Sequence, residues 1–453
     1  MKAIVLLCLL VSASEVCAQS TTATPAQTAT PSAAPIVSPS PRPSGRVSFY
    51  TTEARSVVTD APSRASGEFA SSITYQLPDE DKNGVDFGID LRHAAYSGAG
   101  RLQRVSLYEG FAGGRLAGGR LRARAGHVWL NDLGALGAVA GGVVEYRQPL
   151  DHPSSLGRLR IGAFGGLEPQ TFEYGYAPNV KKAGGYVALE GDHARRNVVG
   201  LVSIRDAALT ERSVVTTTNF LPIGTKVFVY QAAEYDVAAP AGQGRTGLAY
   251  LFANTRVAPA TRVELQGTYS RGRSVDTRGL SEDVLSGRAL TRAAIDGLLY
   301  ESAGGRMTVE VVPRVRVYGG YSRDVTNRDQ APTGRILLGG FAGNIAGSGF
   351  DMSASDSITS GPSRASHAEY VSLGREIGRS VYVYGDYSTS LSVLQFSRSD
   401  GVIIETRPHT RRMSGTATAN LAGSTSLMIT VDRTTDGQSK DFRAMTGITY
   451  RLR

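Results

Sequence analysis

Beyond residue 17 the chain has no cysteine, because its two, Cys8 and Cys17, both lie within the first eighteen residues. Without those residues the protein has no thiol to form a disulfide, hold zinc or attack a substrate. It also crosses an oxidising compartment without mispairing. Long apolar runs are missing as well. After the stretch from Ala3 to Val11, nothing approaches the ~20 apolar residues of a membrane helix, so only strands remain as a way across a bilayer. Lysine is scarce, six residues against 43 arginines at a net charge of +9. Either genome composition or a use for anion-binding guanidinium forks accounts for that bias. No basic helix or aromatic stacking platform accompanies the charge, so nucleic acid is not an expected partner. The motifs HExxH, GxxxxGK[ST] and GxSxG are absent, so no enzyme activity, cofactor or metal is expected.

Lys2, the apolar run after it and the small-residue site Val16-Cys17-Ala18 read as a secretory signal peptide over residues 1–18, which leaves Gln19 as the mature N-terminus. Residues 19–46 are almost wholly Thr, Ala, Ser and Pro, with six prolines from Pro25 to Pro43. Such a segment cannot bury enough apolar surface to order itself and is expected to be a disordered tether. From Val47 onward the pattern alternates with a period of two. Val85, Phe87, Ile89 and Leu91 alternate with Asp86, Gly88, Asp90 and Arg92; Leu427, Ile429 and Val431 alternate with Met428, Thr430 and Asp432. Each run has about the ten residues that a tilted strand needs to cross a bilayer.

The last stretch, Asp441 to Leu452, places Phe442, Ala444, Thr446, Ile448, Tyr450 and Leu452 on one face, with Asp441, Arg443 and Arg451 on the other. After an export signal, such a strand resembles the closing strand of Gram-negative outer-membrane β-barrel proteins, porin-like ones among them. The resemblance implies a single antiparallel transmembrane β-barrel over residues 47–453, with roughly 18 to 22 strands by count of the alternating runs. It also implies a place in the cell outer membrane, outer-membrane lipid around the barrel and insertion by the barrel-assembly machinery through the C-terminal strand. Passive diffusion of small solutes is the function it implies. A structural or adhesive barrel acting through its surface loops is the alternative.

A motif of the form apolar-x-apolar-x-Gly-x-Tyr-Ser occurs at Val263, Val315 and Val381, each time after a tight turn. Its tyrosines Tyr269, Tyr321 and Tyr387, with Trp129 elsewhere, are expected to form an interfacial girdle. Val383 falls on the lipid parity and Tyr384 on the wet one. Residues 275–297 interrupt the alternation and are expected to be a surface loop; folding inward to narrow a pore is the alternative.

The candidate pore lining lies between residues 120 and 160. Arg120, Arg122 and Arg124 share one parity, opposite Leu121, Ala123, Ala125, His127 and Trp129. Arg158 and Arg160 do the same opposite Leu159 and Ile161, and Glu145 and Arg147 fall on the polar parity of the stretch between. Three neighbouring strands would bring these residues to one wall, an anion-attracting ladder if that wall encloses a lumen. A sheet with one solvated face shows the same alternation. The six histidines suggest no acid-base pair: His127 lies on the apolar parity, and His367 has no evident partner.

Overall fold

In the computed structural model, residues 44–452 are described except for 60, 78–83, 98–102, 150–156, 170–175, 192–194, 239–245, 328–330, 363 and 398–401. The signal peptide and most of the tether fall outside the described residues. The strands follow in chain order. The first nine are β1 (Ser44–Val58), β2 (Arg64–Gln76), β3 (Val85–Ser97), β4 (Arg104–Leu116), β5 (Leu121–Trp129), β6 (Ala138–Arg147), β7 (Arg158–Pro169), β8 (Tyr176–Glu190) and β9 (Arg196–Asp206). Seven more are β10 (Leu209–Ile223), β11 (Val227–Ala238), β12 (Gly247–Ala260), β13 (Val263–Ser274), β14 (Leu298–Val312), β15 (Val315–Thr326) and β16 (Thr333–Ala342). The rest are β17 (Phe350–Ser360), β18 (Arg364–Ile377), β19 (Val381–Ser397), β20 (Ile403–Thr406), β21 (His409–Ala422), β22 (Thr425–Thr435) and β23 (Ser439–Leu452). Thus β1 starts at Ser44, ahead of the Val47 expected from the alternation, and Gly45 and Arg46 pair with Leu452 and Arg451.

Every strand pairs antiparallel with its neighbours, and β1 pairs with β23 from Gly45↔Leu452 to Val58↔Ser439, which closes the sheet. β20 and β21 lie end to end against one strand, β19. Pro408 stands between them and has no N–H to offer the ladder, while its carbonyl still accepts from the Ser392 amide at 3.0 Å. Counting β20 and β21 as one stave, the barrel has 22, within the range expected from the sequence. Closure leaves no sheet edge unpaired.

The period of two sets two surfaces. Val199, Leu201, Leu338, Met413, Phe442 and Tyr450 are exposed on the outer parity. The inner parity is polar over most of the circumference. Tight turns such as those at 117–120, 313–314 and 378–380 gather at one end, where Arg314 (φ 71°) and Gly378 (φ 63°) take left-handed backbone. Ser44 and Leu452 lie at that end too. Segments 130–137 and 275–297 belong to the opposite end.

Segment 275–297 departs from the surface loop expected. Its helix Thr277–Leu285, capped by the Asp276 carboxylate on the Gly279 amide, buries Leu280 and Ser281. Arg278 donates from Nε to Glu211 on β10 at 2.8 Å and pairs with Glu168 on β7 at 3.1 Å. The helix therefore folds back toward β7 and β10, several staves from the β13 and β14 that carry it. Burial disfavours the charged guanidinium of Arg278, but the Glu211 hydrogen bond and the Glu211 and Glu168 charges outweigh this and raise its pKa above the usual arginine value.

Candidate functional site

The three strands β5, β6 and β7 are consecutive neighbours, and their register brings most of the expected arginine wall together. Arg122 stands opposite Glu145, and Arg147 opposite Arg160. Arg122, Arg124, Arg147, Arg158 and Arg160 thus share the inner face with Glu145. Arg120 lies just outside it, in the tight turn before β5.

These arginines are not bare. Arg122 donates from Nε to Asp86 on β3 at 2.6 Å, and Arg124 lies 3.9 Å from the same carboxylate, with its guanidinium 5.2 Å from the Phe111 ring centroid. The two arginines reach Asp86 across β4 because the residue between is Gly113, which pairs with both Asp86 and Arg124. A Cβ there would come within 2.8 Å of the Arg124 Cγ. The same arrangement recurs three strands on. Glu145, Gly162 and Tyr186 form one lateral row, and the missing side chain of Gly162 lets the Tyr186 hydroxyl lie across β7 and donate to Glu145.

Arg160 is the hub of the wall. It donates to Asp132 at 2.7 Å and to Glu145 at 2.9 Å, and lies 2.9 Å from Glu190. Arg196 on β9 also pairs with Asp132, and Arg147 pairs with Glu145. Arg158 donates to the Gln148 carbonyl at 2.8 Å. Glu145 is 1% exposed and Arg160 5%. Charges this deep persist only when paired and hydrogen-bonded, as they are here.

Asp132 comes from the short 3-10 segment Asn131–Gly137, which folds into the barrel and packs on β9 and β10. Leu130, Leu133 and Leu136 of this stretch are buried with Val128, Val139 and Val143 and with Val198, Val202 and Val214 across the lumen wall. Leu133 sits where a Cβ on Gly200 would be, 2.4 Å from that position. On β5 to β10, therefore, the inner face is a small apolar core held under an ion-paired cap. Sequence reasoning missed Asp132, Asp86 and Glu190 as counter-charges. Asp132 stood in the stretch inspected, but nothing local revealed its partner.

The opposite wall is hydroxyl-rich, with a few charged side chains among the hydroxyls. Ser353 and Ser372 share a hydrogen bond at 2.6 Å, Thr416 and Thr430 one at 3.0 Å, and Thr449 donates to Ser48 at 3.1 Å. Tyr370 bonds Tyr384, and Ser414 bonds Asp386. Arg443 closes the series on Asp432 at 2.7 Å.

Tyr269, Tyr321 and Tyr387 are each the seventh residue of β13, β15 and β19, on the outer parity, and Trp129 ends β5 toward the opposite end. His127 is buried against the Tyr176 ring. His367 does have a partner, Asp356 on β17 at 2.7 Å, and the pair lies on the outer face. His152 and His193 fall outside the described residues.

No protein-family model and no curated protein matches the chain. Solved structures do resemble it in outline. OccAB4 of Acinetobacter baumannii superposes with a TM-score of 0.44 at 9% identity, covering 91% of this chain and 99% of that one. OccK5 (OpdH) of Pseudomonas aeruginosa gives 0.43 at 7%, covering 91% and 99%. OccK7 (OpdD) of the same organism gives 0.42 at 9%, with the same coverage. Likenesses of this depth say nothing of what passes through this barrel.

Proposed function

We propose that the chain is an outer-membrane channel for the passive diffusion of small solutes, with a preference for anions, and not an enzyme. The observation that carries this reading is a closed barrel whose inner parity remains polar and solvated from β17 round to β2, clear of the segment packed on β5 to β10. A continuous polar inner wall in an apolar outer shell supports a water-filled path. In this reading residues 1–18 direct export and residues 19–43 form a tether ahead of β1. The barrel-assembly machinery acts on β23, Trp129 contacts the lipid interface, and Tyr269, Tyr321 and Tyr387, each six residues beyond its strand start and so about 15 Å from the tight-turn end, face the apolar band.

Anion preference follows from the local balance of charge. Arg120, Arg122, Arg124, Arg147, Arg158, Arg160 and Arg196 are seven cations, against the four carboxylates of Asp86, Asp132, Glu145 and Glu190. Ion pairing mutes each charge without cancelling the excess, and low-dielectric walls extend its reach into the lumen. Single-channel recording on refolded protein tests both parts. Replacing Arg120, Arg122 and Arg124 by Glu should move the reversal potential in a salt gradient toward cations, more at low salt than at high, since the Debye length is about 8 Å at physiological ionic strength. Intact conductance with unchanged selectivity would place this wall off the conduction path.

A second reading, a structural or adhesive barrel acting through its loops, is favoured by one observation. The apolar core under segment 131–137 and the helix folded back toward β7 and β10 both occupy space that a channel would leave open. Negligible conductance from correctly folded protein would decide for it.

A further inference from the structure

The outer surface carries charge where an apolar shell is expected. On four adjacent staves, β21, β22, β23 and β1, the residues Arg411, Arg433, Lys440 and Arg55 are all exposed and all on the outer parity. Two lateral rows hold them. Arg411, Thr435, Lys440 and Val57 form one row, and Met413, Arg433, Phe442 and Arg55 the next. Met413 and Phe442, exposed beside them, fix the direction in which this face looks.

Their depth follows from the strands. Arg433 stands eight residues beyond Thr425, the start of β22; Arg55 is eleven beyond Ser44; Arg411 is eleven before Ala422; and Lys440 is twelve before Leu452. At ~3.3 Å per residue and a tilt of ~40°, these are roughly 20–30 Å above the tight-turn end, where an apolar band of ~25 Å gives way to headgroups. Rows are ~7 Å apart along the strand and staves ~4.8 Å apart, so the patch is about 14 Å wide. Among the described residues Arg411 bonds His409, at 3.5 Å, and none of the four has a carboxylate partner within ion-pair distance. Glu53 is the nearest acidic residue in sequence on the same face of β1. An apolar shell would leave an unneutralised patch of this size unsolvated, whereas phosphate oxygens accept the forked and point-charge donors that Arg and Lys provide.

We propose that Arg55, Arg411, Arg433 and Lys440 bind the phosphate-bearing headgroup of an anionic lipid in the leaflet at the long-loop end of the barrel. The proposal rests on the membrane reading above. The acidic residues Asp356 and Glu369 lie outward on the same lateral row as Arg411, three and two staves away. A second copy could bring these acids against the cations, and that outcome is separable.

The test reconstitutes the full chain in phosphatidylcholine nanodiscs doped with bisphosphorylated lipid A or with its dephosphorylated form, then measures retained lipid by native mass spectrometry after mild extraction. The wild type should retain the phosphorylated lipid selectively. Changing all four cations to Gln should lower that retention about a thousandfold at low salt; changing the three arginines to Lys should preserve most of it. Inorganic phosphate should compete only weakly, because a headgroup is tethered beside the patch by its acyl chains. Equal retention of the two lipids, or retention unaltered in the Gln variant, overturns the proposal. So does a dimer that both the Gln variant and an Asp356→Asn, Glu369→Gln variant abolish, because the patch would then be a contact between copies. Channel conductance recorded on the same preparations separates the two readings: protein that conducts without selecting the lipid refutes this site alone, and protein that fails to insert refutes the membrane reading.

Discussion

Changing Ile429 to Arg should damage the barrel far more than changing its neighbour Thr430. Ile429 is outward and 44% exposed, with Ala417 and Thr446 beside it in register. It stands four residues beyond Thr425, about 10 Å from the tight-turn end at the rise and tilt of barrel strands, near the middle of a ~25 Å apolar band. An arginine at the midplane costs about 2–4 kcal/mol, or roughly thirty- to a thousandfold in the folding equilibrium. Thr430 faces inward, where its hydroxyl lies 3.0 Å from that of Thr416. Losing that bond costs about 0.5–1.5 kcal/mol, and lumen water can hydrate the new charge. Denaturant titration of folding into phosphatidylcholine vesicles, read by heat-modifiable gel mobility, measures both. Equal loss at the two positions would mean that this strand does not separate lipid from water and that the barrel does not sit in a bilayer as argued.

Other perturbations probe the inner wall and the folded-back helix. Arg160→Gln should destabilise the barrel by about 3–5 kcal/mol in the same titration, because it leaves Asp132, Glu145 and Glu190 close together without their shared cation; a change under 1 kcal/mol would deny Arg160 its role as hub. Leu133→Ala should cost about 2–5 kcal/mol and loosen segment 131–137, which noisier or larger single-channel conductance would register. Arg278→Ala should raise hydrogen exchange in residues 277–285 by removing the contacts to Glu211 and Glu168, and unchanged exchange would show that Leu280 burial alone holds the helix.

Parity was legible because it is local. On β23, Phe442, Ile448 and Tyr450 are exposed outward as their alternation implies, while Arg443 turns inward to Asp432. Depth was not legible. Val383 lies on the lipid parity but only two residues beyond Val381, so arginine there should cost only about 0–1 kcal/mol. The fold already places one at that level: Arg375 pairs with Val383 in register and stacks on Phe350 at 4.9 Å. Parity follows from a period of two, whereas depth needs the strand ends, which a sequence locates poorly.

The segment folded over part of the arginine wall was not legible for a different reason, although its signal was present. Alternation cannot distinguish a wall facing water from one covered by a segment folded inward, because in both cases one parity faces lipid and the other does not. What separates them is the chemistry of the inner parity. Strands β6, β9 and β10 carry Val143-Val144, Val198-Val199, Leu201-Val202 and Val214-Val215, apolar on both parities, and the inner member of each pair is buried while Val144, Val199 and Leu201 are exposed outward. A strand apolar on both faces has something apolar to meet on each. Here the inner face meets Leu130, Leu133 and Leu136, and in the membrane reading proposed above the outer face meets lipid. Strands β21 to β23 and β1 carry Ser414, Thr416, Thr430, Thr449 and Ser48 at inner positions, and their adjacent apolar residues, Val57-Val58 on β1 and Leu427-Met428 on β22, have no buried inner member. Apolar pairs with a buried inner member therefore mark the covered sector of the lumen and the hydroxyls mark the open one, so that in the channel proposed above a solute meets hydroxyls and the Arg443–Asp432 pair on one side and the rim of the β5 to β7 arginine wall on the other.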